Sequence, residues 1–206
     1  MNTYIMNFFS IDCSTEIGSL FVKIKSKTFN KILQSEKSNN DLLMKQILDF
    51  FKENDLSFDD ISNILVNQGP GSFSGLRGSI ATAKGISLSK NLELFGYNNF
   101  LWPCTKFFNK NDFIYSLIKF RDSYFVQEFN RNLNNKPKIQ KVTENELLKK
   151  YDKKLTVTKK NEIKYFDKRI LKLNNLCIVE TDYCDLEFLK MKGLLNKDLI
   201  RPFYLS

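Results

Sequence analysis

The run Gln68-Gly69-Pro70-Gly71-Ser72-Phe73-Ser74-Gly75-Leu76-Arg77-Gly78 restricts this chain more than any other segment. It follows the apolar run Ile64-Leu65-Val66 and opens a pattern rich in small residues from Gly75 to about Lys90. That order predicts strand, tight loop and helix N-terminus, the basic unit of an α/β fold. A loop of this kind aims backbone N–H groups at one point, with the positive end of a helix dipole behind them, so an anion can bind there. The spacing fits neither standard phosphate loop. A Walker A loop ends in Gly-Lys-Ser/Thr where this chain has Gly75-Leu76-Arg77, and the dinucleotide fingerprint has one residue fewer between Gly71 and Gly75. A strand-to-helix turn that needs glycine dihedrals accounts for the loop without any ligand.

Ahead of it, residues 4 to 11 read as a strand ending at Asp12-Cys13-Ser14-Thr15-Glu16. Further strands are expected over 19 to 25 and 28 to 33, which makes a meander. Asp12, Ser14 and Thr15, with Gly71 and Ser72, form the candidate contact for a nucleotide or anion; such residues also close turns through side chain to backbone bonds. Asn39 or Asn40 can cap a helix from Asp41 to about Asn54. On it Phe50, Leu43, Ile47, Phe51, Met44 and Leu48 span an arc of about 160°, with Leu42 on the polar side as a contact for a partner helix. In the helix after the loop, Gly78, Thr82, Gly85 and Ser89 fall within a stripe of about 60°. Two helical glycines need a reason, and close approach of the chain's own sheet or of a second protein supplies one.

Residues 92 to 97 read as another strand, and Asn98 to Phe108, containing Pro103, as a crossover. The boundary placed there divides the chain into 1–100 and a smaller, basic 101–206 ending in a tail. Beyond it, residues 113 to 118 and 124 to 129 repeat the hairpin theme. Thr143-Glu144-Asn145-Glu146 has the form of a capping box for a short helix to Lys150. Residues 155 to 158 read as a strand, 159 to 172 as a lysine-rich stretch of poor pattern, 185 to 195 as a helix, and 200 to 205 as an extended tail.

Composition narrows the chemistry. The chain has 206 residues and no histidine, which removes Ser-His and Cys-His nucleophile pairs and most transition-metal sites, so no metal ligand set is expected. Cys13, Cys104, Cys177 and Cys184 are scattered, as reduced core thiols would be. The formal charge is +9, all of it in the second half: residues 1 to 103 hold 10 Lys and Arg against 10 Asp and Glu, and residues 104 to 206 hold 22 against 13. Such a half can face nucleic acid, although a bias toward Lys and Asn produces the same excess. No apolar run suits a membrane span or signal peptide, and a cytoplasmic location is expected.

Two segments carry a resemblance. Ile11-Asp12-Cys13-Ser14-Thr15-Glu16 is similar to the Ile-Asp-Thr-Ser-Thr opening of the TsaB (YeaZ) family. Gly69-Pro70-Gly71-Ser72-Phe73-Ser74-Gly75-Leu76-Arg77 is similar to its Gly-Pro-Gly-Ser-Phe-Thr-Gly-Leu-Arg, continued by Ala81-Thr82-Ala83-Lys84-Gly85. Weaker echoes are Ile118-Lys119-Phe120-Arg121, with Lys119 in place of the family's aspartate, and the closing Pro202-Phe203-Tyr204-Leu205. The histidine often found ahead of the family's first helix is missing around Ser38-Asn39-Asn40.

The resemblance implies two ribonuclease-H-like lobes of the actin, sugar-kinase and Hsp70 type. It implies a non-catalytic subunit that binds the catalytic subunit TsaD, together with TsaE, for threonylcarbamoylation of the adenosine beside the anticodon in tRNA. The partner-facing residues expected are Leu42, Leu43, Gln46, Gly75, Leu76, Arg77, Gly78, Ser79, Thr82 and Gly85. No cofactor is expected on this chain alone, ATP or ADP belonging to the shared interface of the complex. tRNA is expected indirectly or through the basic half, and the free chain is expected to form a homodimer. The alternatives are a small phosphotransferase of the same fold using Asp12, and a glycoprotease-like peptidase acting with its partner.

Overall fold

The computed structural model describes residues 6–33, 42–134 and 138–205. It divides into two units: the described residues up to Asn99 with those from Leu195 onward, and Phe100–Leu194. The final segment, expected with the second half, belongs instead to the first unit. Its backbone pairs there, Gly96 with Asn196 and Phe203 N–H with Gln68 C=O at 2.7 Å, and Ile200 is buried in that core.

The first unit is built on β1 (Phe8–Asp12), β2 (Gly18–Ile24), β3 (Lys27–Leu33), β4 (Asn63–Asn67) and β5 (Glu93–Tyr97), in the sheet order β3-β2-β1-β4-β5. The β1, β2 and β3 meander is antiparallel, whereas β4 and β5 run parallel to β1. Every residue of β1 and β4 is buried, so these central strands read as continuous apolar runs rather than as alternation. The register sets Phe9 beside Val22 and Ile64, and Ile11 beside Leu20 and Val66. This makes one apolar face, packed with residues from α1 (Leu43–Glu53) and α2 (Phe73–Lys90) in a single core cluster.

On α1, Leu43, Ile47, Phe50 and Phe51 enter that core, and Phe51 meets Phe9 edge to face at 5.2 Å. Met44 and Leu48, expected on the same arc, are 40% and 49% exposed, because the buried stripe is narrower than the apolar one. The proposed caps Asn39 and Asn40, Asp41, and the start of the first strand at Tyr4 and Ile5 lie outside the described residues. The helix α2 begins two residues earlier than expected, at Phe73, with the Ser72 hydroxyl accepting from Gly75 N–H. It stops at Asn91, which takes the left-handed conformation that asparagine tolerates.

The second unit repeats the plan. Its strands are β6 (Phe113–Phe120), β7 (Ser123–Asn130), β8 (Gln140–Val142), β9 (Thr156–Lys159) and β10 (Leu176–Val179), in the sheet order β10-β9-β6-β7-β8. Taken in chain order within each unit, both sheets combine the same mixture of antiparallel and parallel pairs around a central first strand. The helix α3 (Glu144–Tyr151) has the expected capping box. Leu147 and Tyr151 from α3 join Leu117, Tyr124, Val126 and Phe166 in the second core. The strands β8 and β10 were not read from sequence. The 159 to 172 stretch resolves into the end of β9 and 3-10 turns over Lys160–Tyr165 and Ile170–Lys172. The last helix, α4 (Asp185–Met191), is shorter than expected. No helix among the described residues is long and apolar enough to cross a membrane.

Candidate functional site

The carboxyl ends of the three parallel strands β1, β4 and β5 bring Asp12, Asn67 and, just beyond β5, Asn99 together; such ends are where open α/β sheets concentrate function. All three are buried. The Asn67 amide donates to Asp12 Oδ2 and to Asn99 Oδ1, each at 2.8 Å, and its carbonyl oxygen accepts from Gly69 N–H at 2.8 Å. Asp12 Oδ1 accepts from Ser14 N–H at 2.8 Å, which closes the β1–β2 turn. Asn99 donates to Pro70 C=O at 2.8 Å and to Ser14 Oγ at 3.2 Å. Both Asp12 carboxylate oxygens thus accept from neutral donors.

The glycine loop lies directly on that turn. A Cβ on Gly71 would sit 1.9 Å from Ser14 C=O, and one on Gly75 would sit 2.2 Å from Cys13 C=O. Only glycine lets the two backbones come so close. Ser72 N–H donates to Ser14 C=O at 2.7 Å. The concavity that suggested an anion site is therefore occupied at this N–H by the chain's own carbonyl. Asp12, Ser14, Gly71 and Ser72 do come together, but as an internally bonded joint. Thr15 stands apart from it, its hydroxyl donating to Ile17 C=O at 2.8 Å within the turn. Burial, reinforced by the Asp12 charge, pushes the Cys13 thiol up to about 12, so it is no thiolate nucleophile at neutral pH. No group of three or more acidic or cysteine side chains suited to a metal occurs among the described residues.

Two further residues, Gln68 and Tyr204, tie the chain's end to this loop. The Gln68 amide donates to Arg201 C=O at 2.8 Å. Tyr204 stacks on Phe73 at 5.2 Å, and the Arg77 guanidinium lies 3.9 Å above Phe73 while donating to the Tyr204 hydroxyl. Sequence reasoning missed the roles of Asn67 and Asn99, for which no spacing signal exists. Their place at strand carboxyl ends is the clue.

The helices α1 and α2 separate the residues expected to face a partner. Leu43, Leu76 and Ser79 are enclosed in the chain's own core, at 3%, 0% and 0% exposure, and leave that set. Gly75 is committed to its close approach to Cys13. Leu42, Arg77 and Gly85 are exposed, and Gln46, Gly78 and Thr82 are half-buried. The stripe of Gly78, Thr82, Gly85 and Ser89 is centred about 125° round the helix from the buried one. A Cβ on Gly85 would meet nothing within 4 Å. At Gly85 and Ser89 the stripe is exposed, so there it does not pack on the chain's own sheet, the first of the two expectations for it.

A family model described as TsaD, tRNA N6-adenosine threonylcarbamoyltransferase, matches residues 33–111. A curated protein from Buchnera aphidicola subsp. Baizongia pistaciae (strain Bp), the tRNA threonylcarbamoyladenosine biosynthesis protein TsaB, is 38% identical over 85 residues. That match takes in 40% of this chain and 38% of the relative's own length. Among solved structures, YeaZ from Pseudomonas aeruginosa aligns over 98% of this chain and 100% of its own, with TM-score 0.70 at 14% identity. A second structure, of a protein similar to peptidase YEAZ from Pseudomonas aeruginosa, gives the same coverage and TM-score at 12% identity. Together these findings show a sequence likeness to TsaD and TsaB over part of the chain, and a fold like that of YeaZ over nearly all of it. The residues matched by the family model contain the Gly69–Gly75 loop and both helices α1 and α2. The two-lobed α/β fold expected of that family is the fold found, with an overall likeness that extends well beyond the half in which the sequence match lies.

Proposed function

We propose that this chain is a non-catalytic subunit of the machinery for tRNA threonylcarbamoyladenosine biosynthesis. It binds a TsaD-type partner through the outer faces of α1 and α2 and favours the partner's active arrangement, with a TsaE-type ATPase joining the assembly. The name of the curated relative and the likeness to YeaZ support the process. The observation that carries the scaffold role is the outward stripe of α2, smooth at Thr82, Gly85 and Ser89, in the same unit as the exposed Leu42, Met44 and Leu48 of α1. A bulk-free helix face lets a second helix approach closely, and flanking apolar side chains supply burial.

The joint at Asp12 supports the absence of independent chemistry. Both carboxylate oxygens have donors, and Cys13 is held protonated. Any adenine nucleotide of the assembly is read as held chiefly by the partners. The activation is a population shift: only a difference in affinity for two TsaD conformations changes turnover. When alone, the same face pairs with a second copy.

Co-purification with the TsaD homologue of the same genome tests the reading. Leu42→Asp and Gly85→Arg are expected to weaken the complex at least tenfold while leaving the fold intact, since Leu42 is exposed and Gly85 has open space around it. Binding unchanged in both variants, or no complex at micromolar concentration, contradicts it.

A further inference from the structure

Because the two sheets share one plan, the same position can be compared in each, and the amino ends of the parallel strands differ. At the amino ends of the parallel strands the first unit is sealed. The Asn7 amide donates to Asp60 C=O at 2.8 Å, its carbonyl oxygen accepts from Lys25 N–H at 2.8 Å, and Ser62 and Asn63 bond on beside it. At the amino ends of β6, β9 and β10 the second unit has an open cleft of about 540 Å³ instead. Its wall includes Asn111, Phe113, Tyr115, Lys153, Lys154 and Asn175.

The groups in the cleft are of three kinds. Phe113 presents a phenyl ring that is 53% exposed. Lys154 holds its ammonium over Tyr115 at 4.8 Å and Tyr151 at 5.0 Å, and neither it nor Lys153 has a carboxylate partner among the described residues. The side-chain amides of Asn111 and Asn175, unlike that of Asn7, make no hydrogen bond among the described residues. The one carboxylate in the wall, Asp112, faces Arg131 at 3.9 Å. Phe100–Leu194 as a whole contains 20 Lys and Arg against 12 Asp and Glu.

We infer that this cleft binds a single-stranded RNA segment, with a base against Phe113, the adjoining phosphates on Lys153 and Lys154, and base edges within reach of the asparagine amides. An exposed aromatic ring beside cations that lack a carboxylate partner is the composition of a single-strand stacking platform, and free amides read unpaired base edges. The volume lies within the range of small-ligand sites, enough for a nucleotide and its flanking phosphates. The inference stands on this cleft and on the charge of its unit, whichever complex the chain joins.

Fluorescence anisotropy of a labelled single-stranded 12-mer RNA against the full chain, at several salt concentrations, tests it. The double variant Lys153→Gln, Lys154→Gln is expected to weaken binding at least tenfold and to flatten the slope of log affinity against log salt by about 0.7 for each phosphate no longer neutralised. Phe113→Ala is expected to weaken binding about tenfold with the slope unchanged, and Phe113→Tyr to keep it. Lys190→Gln with Lys192→Gln, on and just after α4, is the charge control and is expected to change affinity less than twofold. Absence of saturable binding overturns the inference. So does an equal loss in the control pair, which marks diffuse charge, or equal competition by polyglutamate, which marks a site for acidic protein.

Discussion

The two units answer the same architectural problem with different connections between their fourth and fifth strands. In the first, β4 leads through the glycine loop into the 18-residue helix α2; in the second, β9 leads into two short 3-10 turns. At the end of the first strand, one unit has Asp12 buried beside the Asn67 amide. The other has Lys119 near the end of β6, paired with Asp167 at 2.8 Å. A shared sheet order thus leaves function to the crossovers. The first unit uses its crossover to make a rigid joint and an outward helix face, and the second has no helix there to present.

Substitutions that probe each feature sharpen this contrast. The largest effect is expected for Gly71→Ala, whose Cβ must displace Ser14 C=O; a loss of about 3 kcal/mol in urea unfolding is expected, the upper part of the overpacking range. A neutral result breaks the claim that close backbone contact fixes the loop. Asn67→Ala comes next, at roughly 2 kcal/mol, because it leaves the buried Asp12 carboxylate without one donor and Gly69 N–H without its acceptor. Gly85→Ala has the opposite sign. In open space on a helix, it is expected to raise stability by about 1 kcal/mol by the same assay.

The smallest effect belongs to the second unit's ion pair and shows itself in pH dependence. The hydrogen bond from Lys119 holds the Asp167 carboxyl below its ordinary value of 3.8, and that bond to Asp167 holds the lysine above 10.5. The Asp167 contribution is therefore present above pH 3.8 and is lost as pH falls through its folded value. The Lys119 contribution is present below pH 10.5 and is lost as pH rises through its folded value. Thermal melts are expected to show a small, constant gap between wild type and Lys119→Met from about pH 5 to about pH 9, closing in acid. A gap that widens in acid contradicts this assignment.

The first unit was legible in the sequence because its signals are local. Glycines at Gly69, Gly71 and Gly75 mark the loop, period 3.6 marks α1, and Thr143 with Glu146 marks α3 in the second unit. What stayed hidden depends on distance in the chain. Asn67 and Asn99 meet Asp12 only through strand pairing, and Leu76 and Ser79 differ from Arg77 and Gly78 only by which side of α2 faces the sheet. The strand β10 escaped notice because four residues, Leu176–Val179, beside a lysine-rich stretch carry too little pattern. The tail's return to the first unit rests on Gln68 and Phe73, more than a hundred residues upstream of their partners Arg201 and Tyr204.

The central claim is that the outer faces of α1 and α2 are the partner-binding surface, and hydrogen–deuterium exchange with and without the TsaD homologue tests it most directly. The account predicts added protection over Leu43–Glu53 and Phe73–Lys90 at saturating partner, relative to the free chain diluted to its monomeric form, with the second unit's strands unchanged. Protection confined to Phe100–Leu194, with both helices exchanging as in the free chain, contradicts it.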